Sequence, residues 1–247
     1  MKRIALAVAI AAVAMPAAAQ LAVSANDNKQ VNIAGVGGVV ANPAPDSVTV
    51  IDLGVFPPRV VGEVAAPASV VGPPSSVAVA PDESFAIVSS ATKRDPADAT
   101  KLVPDNRLSV IDLKGLKVVQ TLEAGAGAAG VAINRAGTLA LVANRSEGTV
   151  SVFTIAGMTL APAGKVALGN KDSGPSAVVF TPDGKRALVT RDGDSTLSIL
   201  AVDGAKVTAT NRNFHAGVRP YGADITPDGR YVVVGNVGRS QGDNDTV

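Results

Sequence analysis

One short pattern is written four times along this 247-residue chain: "VAPDESFAIVSS" from Val79, "INRAGTLALVAN" from Ile133, "FTPDGKRALVTR" from Phe180 and "ITPDGRYVVVGN" from Ile225. The turn glycines Gly137, Gly184 and Gly229 fall at intervals of 47 and 45 residues. Glu83 stands at the same place one unit earlier, and the longer interval there is due to one insertion, "ATKRDPADATKLVPDNR". Self-similarity at such a period marks an architecture in which each unit cannot bury its own faces and must stack on its neighbours. Each unit holds four short β-type runs, which in the third are "SAVVF", "RALVT", "TLSILAV" and "KVTAT". The turn after the first run is "TPDG" twice: proline presets φ, and glycine accepts a positive one.

"LSVIDL", "VSVFTI" and "LSILAV" share the third position, and "VTVIDL" from Val48 belongs to an earlier unit. No helical 3.6-residue period persists after residue 20. Four antiparallel strands repeated about every 45 residues predict an all-β fold, a β-propeller of four-stranded antiparallel blades. At the N-terminal end "GGVVAN" reads as a second-position strand, and at the other end "DNDTV" stands where a third-position strand begins. The count is seventeen or eighteen strands, about four and a half blades. Residues 31–247 are therefore expected to form the propeller domain, with 20–30 as a linker.

Residues 1–19 read as a signal peptide: Lys2 and Arg3, an apolar run from Ile4 to Met15, then Ala17-Ala18-Ala19 as a cleavage site. The run is too short to span a bilayer. Export is expected, to a periplasm or beyond the cell, with no membrane anchor after cleavage. Without this segment 20 basic residues face 21 acidic ones, which argues against nucleic acid as a partner. Cysteine and tryptophan are absent and aromatics make up 3 %, so the core must be aliphatic. Thiolate chemistry, Cys-ligated metals and a quinone made from Trp or Cys are excluded.

"PSAVVFTPDGKRALVTRDGDSTLSILAV" and "PYGADITPDGRYVVVGN" resemble the YVTN-repeat propellers. That superfamily includes lactonase-type proteins and the heavy chain of quinoprotein amine dehydrogenases, and the resemblance covers roughly residues 31–247. It implies seven blades, which makes this chain an apparent fragment cut mid-blade. It carries no catalytic motif onto any residue of this chain.

Three motifs fail on context. "GAGAAG", Gly125 to Gly130, matches a dinucleotide fingerprint, but a strand hairpin follows where a helix must hold the pyrophosphate. "GRSQG", Gly238 to Gly242, matches a nucleophile elbow, but Ser240 lies between strands and the single histidine, His215, precedes it. "DGDST" and "DNDT" look like calcium loops, yet Leu197 stands where glycine is required. The distal acid, Asp203, lies about 20 Å away at ~3.3 Å per strand residue. No cofactor and no metal site is expected, since one histidine cannot build a multi-histidine centre.

Strand alternation places the first-to-second and third-to-fourth turns on one face, and the remaining connections on the other. The second face carries Arg145, Arg191, Asn236 and "NFHAGVRPYG", with His215, Arg219 and Tyr221. Loops on a rigid scaffold carry function, and a propeller's channel mouth is concave. The six residues are the candidate contacts for a protein or small-molecule ligand. The expected function is an exported binding scaffold without catalysis. The alternatives implied by the resemblance are a lactonase-like hydrolase at the channel mouth, or a non-catalytic subunit of a periplasmic quinoprotein dehydrogenase complex.

Overall fold

The computed structural model describes residues 20–33, 36–69, 75–239 and 246–247. The signal-peptide segment, Ser240 and Asp243 to Asp245 lie outside them. Among the described residues the chain is a β-propeller: antiparallel sheets stacked face to face, with a single 3-10 turn at Lys171–Ser173.

The first sheet joins β1 (Leu21–Asn26), β4 (Ser47–Asp52) and β5 (Arg59–Ala65) in that order. Between β1 and β4, a separate hairpin pairs β2 (Gln30–Ile33) with β3 (Val36–Val39). Two expectations are corrected here. Residues 21–26 are no linker: "LAVSAN" pairs in register with "SVTVID", Leu21 opposite Asp52 and Asn26 opposite Ser47. "GGVVAN" is not the second blade strand, because Gly37 and Gly38 offer a sheet no apolar side chains. The buried Lys29 ammonium ties this insertion down, reaching Asp46 at 2.6 Å, Asp27 at 3.0 Å and the Ala68 carbonyl.

The next sheet holds β6 (Val77–Val79), β7 (Phe85–Ser89), β10 (Arg107–Asp112) and β11 (Lys117–Glu123). Its insertion folds as another hairpin, β8 (Thr92–Arg94) with β9 (Leu102–Pro104). Both hairpins rise from second-to-third connections, and Arg94 Nη2 links them by donating to the Ala41 carbonyl at 2.9 Å. Two regular blades follow: β12 (Ala128–Ile133), β13 (Leu139–Asn144), β14 (Thr149–Ala156), β15 (Thr159–Ala167), then β16 (Pro175–Phe180), β17 (Arg186–Arg191), β18 (Thr196–Asp203), β19 (Lys206–His215). Last, β20 (Pro220–Ile225) pairs with β21 (Val232–Asn236), and Thr246 bridges to Asn236 in the third-strand place.

The two-residue side-chain period makes the stacking work. In β7, Ile87 faces the third blade with Val131, Val142 and Phe153, whereas Ala86 and Val88 face the first with Val48, Val50 and Val64. In β13, Ala140 and Val142 point to the second blade, while Leu139 and Leu141 pack with Val178, Val189 and Leu200 of the fourth. Each middle sheet is thus buried on both faces by its neighbours. The turns stack as well: Gly137 comes against the Pro81 ring and Gly229 against that of Pro182. These glycines have φ of 69° and 71°, and Glu83 at the equivalent place takes φ 56° with a side chain present.

Near the axis the inner strands are held by hydroxyls. Ser89, on β7, donates to the Ala129 carbonyl of the next inner strand, and Thr190, on β17, donates to the Tyr221 carbonyl at 2.6 Å. The equivalent residue of β13 is Ala143, which has no hydroxyl. The corresponding carbonyl, that of Ser176, instead accepts from Ser75 at 3.2 Å, from two blades away. Gly130 permits this closeness, since a Cβ there would sit 2.4 Å from Ser176 O. The glycines of "GAGAAG" therefore serve packing.

Candidate functional site

Ser75, Ala129, Ser176 and Tyr221 each stand two positions before the "VAV", "VAI", "VVF" and "ADI" of their inner strands, so they ring the axis at one level. The loops after β13 and β17 cover this ring. Arg145 is the first residue after β13, and Asp192 the first after β17. Their side chains meet across the blade boundary in a two-pronged pair, Nη1 to Oδ1 and Nη2 to Oδ2 at 2.8 Å. Asp192 is 3 % exposed. Its Oδ1 also lies 3.0 Å from Ser176 Oγ, which in turn receives Arg145 Nη1 at 2.6 Å. A charge this deeply withdrawn from water must be paired and hydrogen-bonded, and here it is both. Gly174 makes room: a Cβ there would stand 2.7 Å from Asp192 Oδ1.

Arg219 approaches the same carboxylate from the connection between β19 and β20, with Nη2 3.4 Å from Oδ2. Its side chain is 43 % exposed, against 23 % for Arg145. Tyr221, 2 % exposed, lies beneath, and the Arg145 guanidinium sits 5.3 Å from its ring centroid as a cation–π contact. The Tyr221 hydroxyl is buried, with the Ser176 side chain as its polar neighbour. Burial pushes its pKa above the ordinary value, and the Arg145 charge opposes that shift. For Arg145, burial disfavours the charge, but the Asp192 carboxylate overrides it and holds the guanidinium above its usual value.

Of the six sequence candidates, the structure brings together Arg145, Arg219 and Tyr221. Arg191 turns away: it is 8 % exposed, pairs with Asp194 and donates to Ser198 Oγ at 3.1 Å. Asn236 is buried at the end of β21 beneath Gly217 and lines an apolar cavity of about 530 Å³ with Gly222, Ala223, Val233 and Val237. His215 is corrected from loop to strand. It pairs with Thr196 at the exposed end of β19, where its Nδ1 accepts from Gly217 N at 3.4 Å. The fourth strand runs on through "NRNFH" because its partner β18 extends to meet it, so the histidine stays at the outer edge.

The sequence puts Asp192 beside Arg191 on this face but does not mark it, or Ser176, as the centre of the cluster. Their signal was positional: Arg145 and Asp192 are equivalent in successive blades and opposite in charge. Among the described residues no group of three histidine, aspartate or glutamate side chains is arranged to hold a metal ion. No described helix is long and apolar enough to cross a membrane.

Comparison with known proteins agrees with this architecture. Hydrazine synthase of Kuenenia stuttgartiensis matches at 26 % identity with a TM-score of 0.58, over 76 % of this chain and 49 % of that one. A functionally unknown protein from Desulfotomaculum acetoxidans matches at 22 % identity and a TM-score of 0.63, over 90 % and 66 %. The periplasmic gluconolactonase of Pseudomonas aeruginosa matches at 15 % identity and a TM-score of 0.59, over 87 % and 61 %. The chain thus spans from about half to about two thirds of the length of these proteins. No curated protein matches it. The family described as the Cytochrome D1 heme domain matches residues 99–244, more than half of the chain. On that match, carried by the blades that build the arginine cluster, the chain belongs to the Cytochrome D1 heme domain family.

Proposed function

We propose that this propeller is a non-catalytic binding protein that captures a compact anionic ligand at the channel mouth, over Arg145, Arg219 and Tyr221. One observation carries the reading. Two guanidinium groups converge on a single buried carboxylate, which leaves one unbalanced positive charge on a face where Arg219 is still open to solvent. A partly desolvated guanidinium with unused donors recognises carboxylate and phosphate oxygens.

The family's name raises haem, and the residues present do not fit it. Haem iron is held by His, Cys, Met or Tyr. The single histidine is at the outer edge of β19, and cysteine is absent. Met158 lies in the turn between β14 and β15, on the opposite face, packed against the core between the second and third blades. Tyr231 is on that opposite face too, beside Arg230. Tyr221 is at the mouth, but its ring is covered by Arg145 and burial disfavours its ionised form.

The gluconolactonase neighbour supports a lactonase reading by fold alone. Against hydrolysis, four acids on this face are engaged: Asp105 with Arg107, Glu147 with Lys165, Asp192 with two arginines and Asp194 with Arg191. The charged-then-apolar leader supports placing the mature chain in the periplasm, as does the likeness to the YVTN-repeat propellers.

Isothermal titration calorimetry of the chain with sodium salts of small anions at low ionic strength tests the reading. One-to-one binding, weakened by Arg219→Ala without a change in melting temperature, is expected. Absence of binding to every anion, or lactone hydrolysis by the purified chain, overturns it.

A further inference from the structure

Resting on the anion-binding reading, we infer that the ligand class is a monocarboxylate, that Arg219 is the residue that contacts and selects it, and that Ser195 is the residue that positions Arg219. Two observations separate Arg219 from Arg145. Arg145 is committed, with two prongs on Asp192, a bond to Ser176 and a ring beneath it. Arg219 makes one long side-chain contact at 3.4 Å and has nearly twice the exposure, so its guanidinium remains accessible from solvent.

The backbone supplies the third part of the argument. Arg219 has φ 55° and Ser195 has φ 57°, both in the left-handed region where a side chain is strained. These two residues, from neighbouring loops, are bonded to each other: the Arg219 N–H donates to Ser195 Oγ at 3.2 Å. On the far side the Arg219 carbonyl accepts from Val237 N at 3.1 Å. Strain of this kind persists where the surroundings impose it, and it concentrates at ligand clamps. Here it fixes the direction in which the arginine leaves the backbone, over the Asp192–Tyr221 cluster.

Charge selects the ligand. Two guanidinium groups against one buried carboxylate leave a single positive charge, which one carboxylate balances. A dianion would leave excess negative charge beside Asp192, which is 2 % exposed at its side chain and poorly screened. The planar fork of Arg219 also matches a carboxylate in two-pronged fashion, a geometry that lysine does not offer.

The chain provides its own reporter. It contains two tyrosines and no tryptophan, so in a Tyr231→Phe background all tyrosine fluorescence comes from Tyr221. Titration of that protein with sodium acetate and with sodium sulfate, at constant ionic strength set by chloride, is expected to show a saturable signal for acetate and at least tenfold weaker binding of sulfate. Arg219→Ala should weaken acetate at least tenfold. Arg219→Lys should keep part of the affinity and lose the preference for acetate over sulfate. Ser195→Ala should weaken acetate several-fold without touching the ligand. Ser195→Gly, which relieves the strained φ and also lacks the hydroxyl, should do the same at undiminished melting temperature. Sulfate binding as tight as acetate, or acetate binding indifferent to both Ser195 variants, overturns the inference while leaving the anion site standing, whereas acetate binding indifferent to Arg219 overturns the site as well. Failure of every anion to bind overturns both.

Discussion

Arg145 and Asp192 occupy the same place in successive blades, each the first residue after the second strand, and they close on one another as a two-pronged ion pair across the blade boundary. The repeat that builds the scaffold has thus put opposite charges at equivalent positions, and the pair joins adjacent blades at the mouth. Its strength should be measurable.

Asp192→Ala should destabilise the chain by about 3 kcal/mol, the low end for a broken buried pair, because Arg145 retains 23 % exposure and can recover some water. A urea unfolding curve with an unchanged slope and a lowered midpoint would show it. A loss under about 1 kcal/mol would rank the pair with surface ion pairs.

Gly130→Ala should cost about 3 kcal/mol, because the added methyl would lie 2.4 Å from the Ser176 carbonyl oxygen and 2.7 Å from Ala177 Cα, both backbone atoms that cannot swing aside. Thermal melting compares it with Gly157→Ala, where nothing lies within 4 Å and the strained φ of 59° is the sole penalty.

Acid should destabilise the fold in part through Asp105. Burial raises its pKa, but bonds from Arg107, Ser90 and the Asn106 N–H outweigh this and bring it below the ordinary value. A depressed folded-state pKa gives stability that is present above the unfolded value of about 3.9 and lost as pH falls through the lower folded value. Chemical denaturation between pH 7 and pH 3 should show a shallower acid loss for Asp105→Asn than for the parent chain.

Alkali should act through Tyr221. Its pKa is raised by burial, so its contribution to stability is complete below about pH 10 and is lost as pH climbs through the raised value. In a Tyr231→Phe background, ultraviolet titration should show phenolate appearing later than for an ordinary tyrosine. Arg145→Ala, which removes the opposing positive charge, should move it later still.

The blade pattern was legible because strand and turn rules act locally: "TPDG" closes a hairpin wherever it stands, and "LSILAV" alternates into two cores. "LAVSAN" escaped notice because its partner lies beyond an intervening hairpin, and pairing across 20 residues leaves no local trace. At the mouth, counting strand ends put Arg145, Arg219 and Tyr221 on one face, where the structure brings them together. It could not show that Asp192 would gather them, because that depends on how far each loop folds inward. His215 illustrates the reverse error: its loop-like neighbours hid a strand whose length is set by β18.

The bond from Ser75 to the Ser176 carbonyl joins units that are not sequence neighbours. In a linear array of repeats each unit feels the ones before and after it, so a chain can fray from one end one unit at a time. A tie that skips over the third blade changes that: the second and fourth cannot part while it holds, and the blade between is clasped at its inner strand by both. Opening at the axis should therefore involve three blades together, and slowly exchanging amides should cluster on β12 and its two inner neighbours.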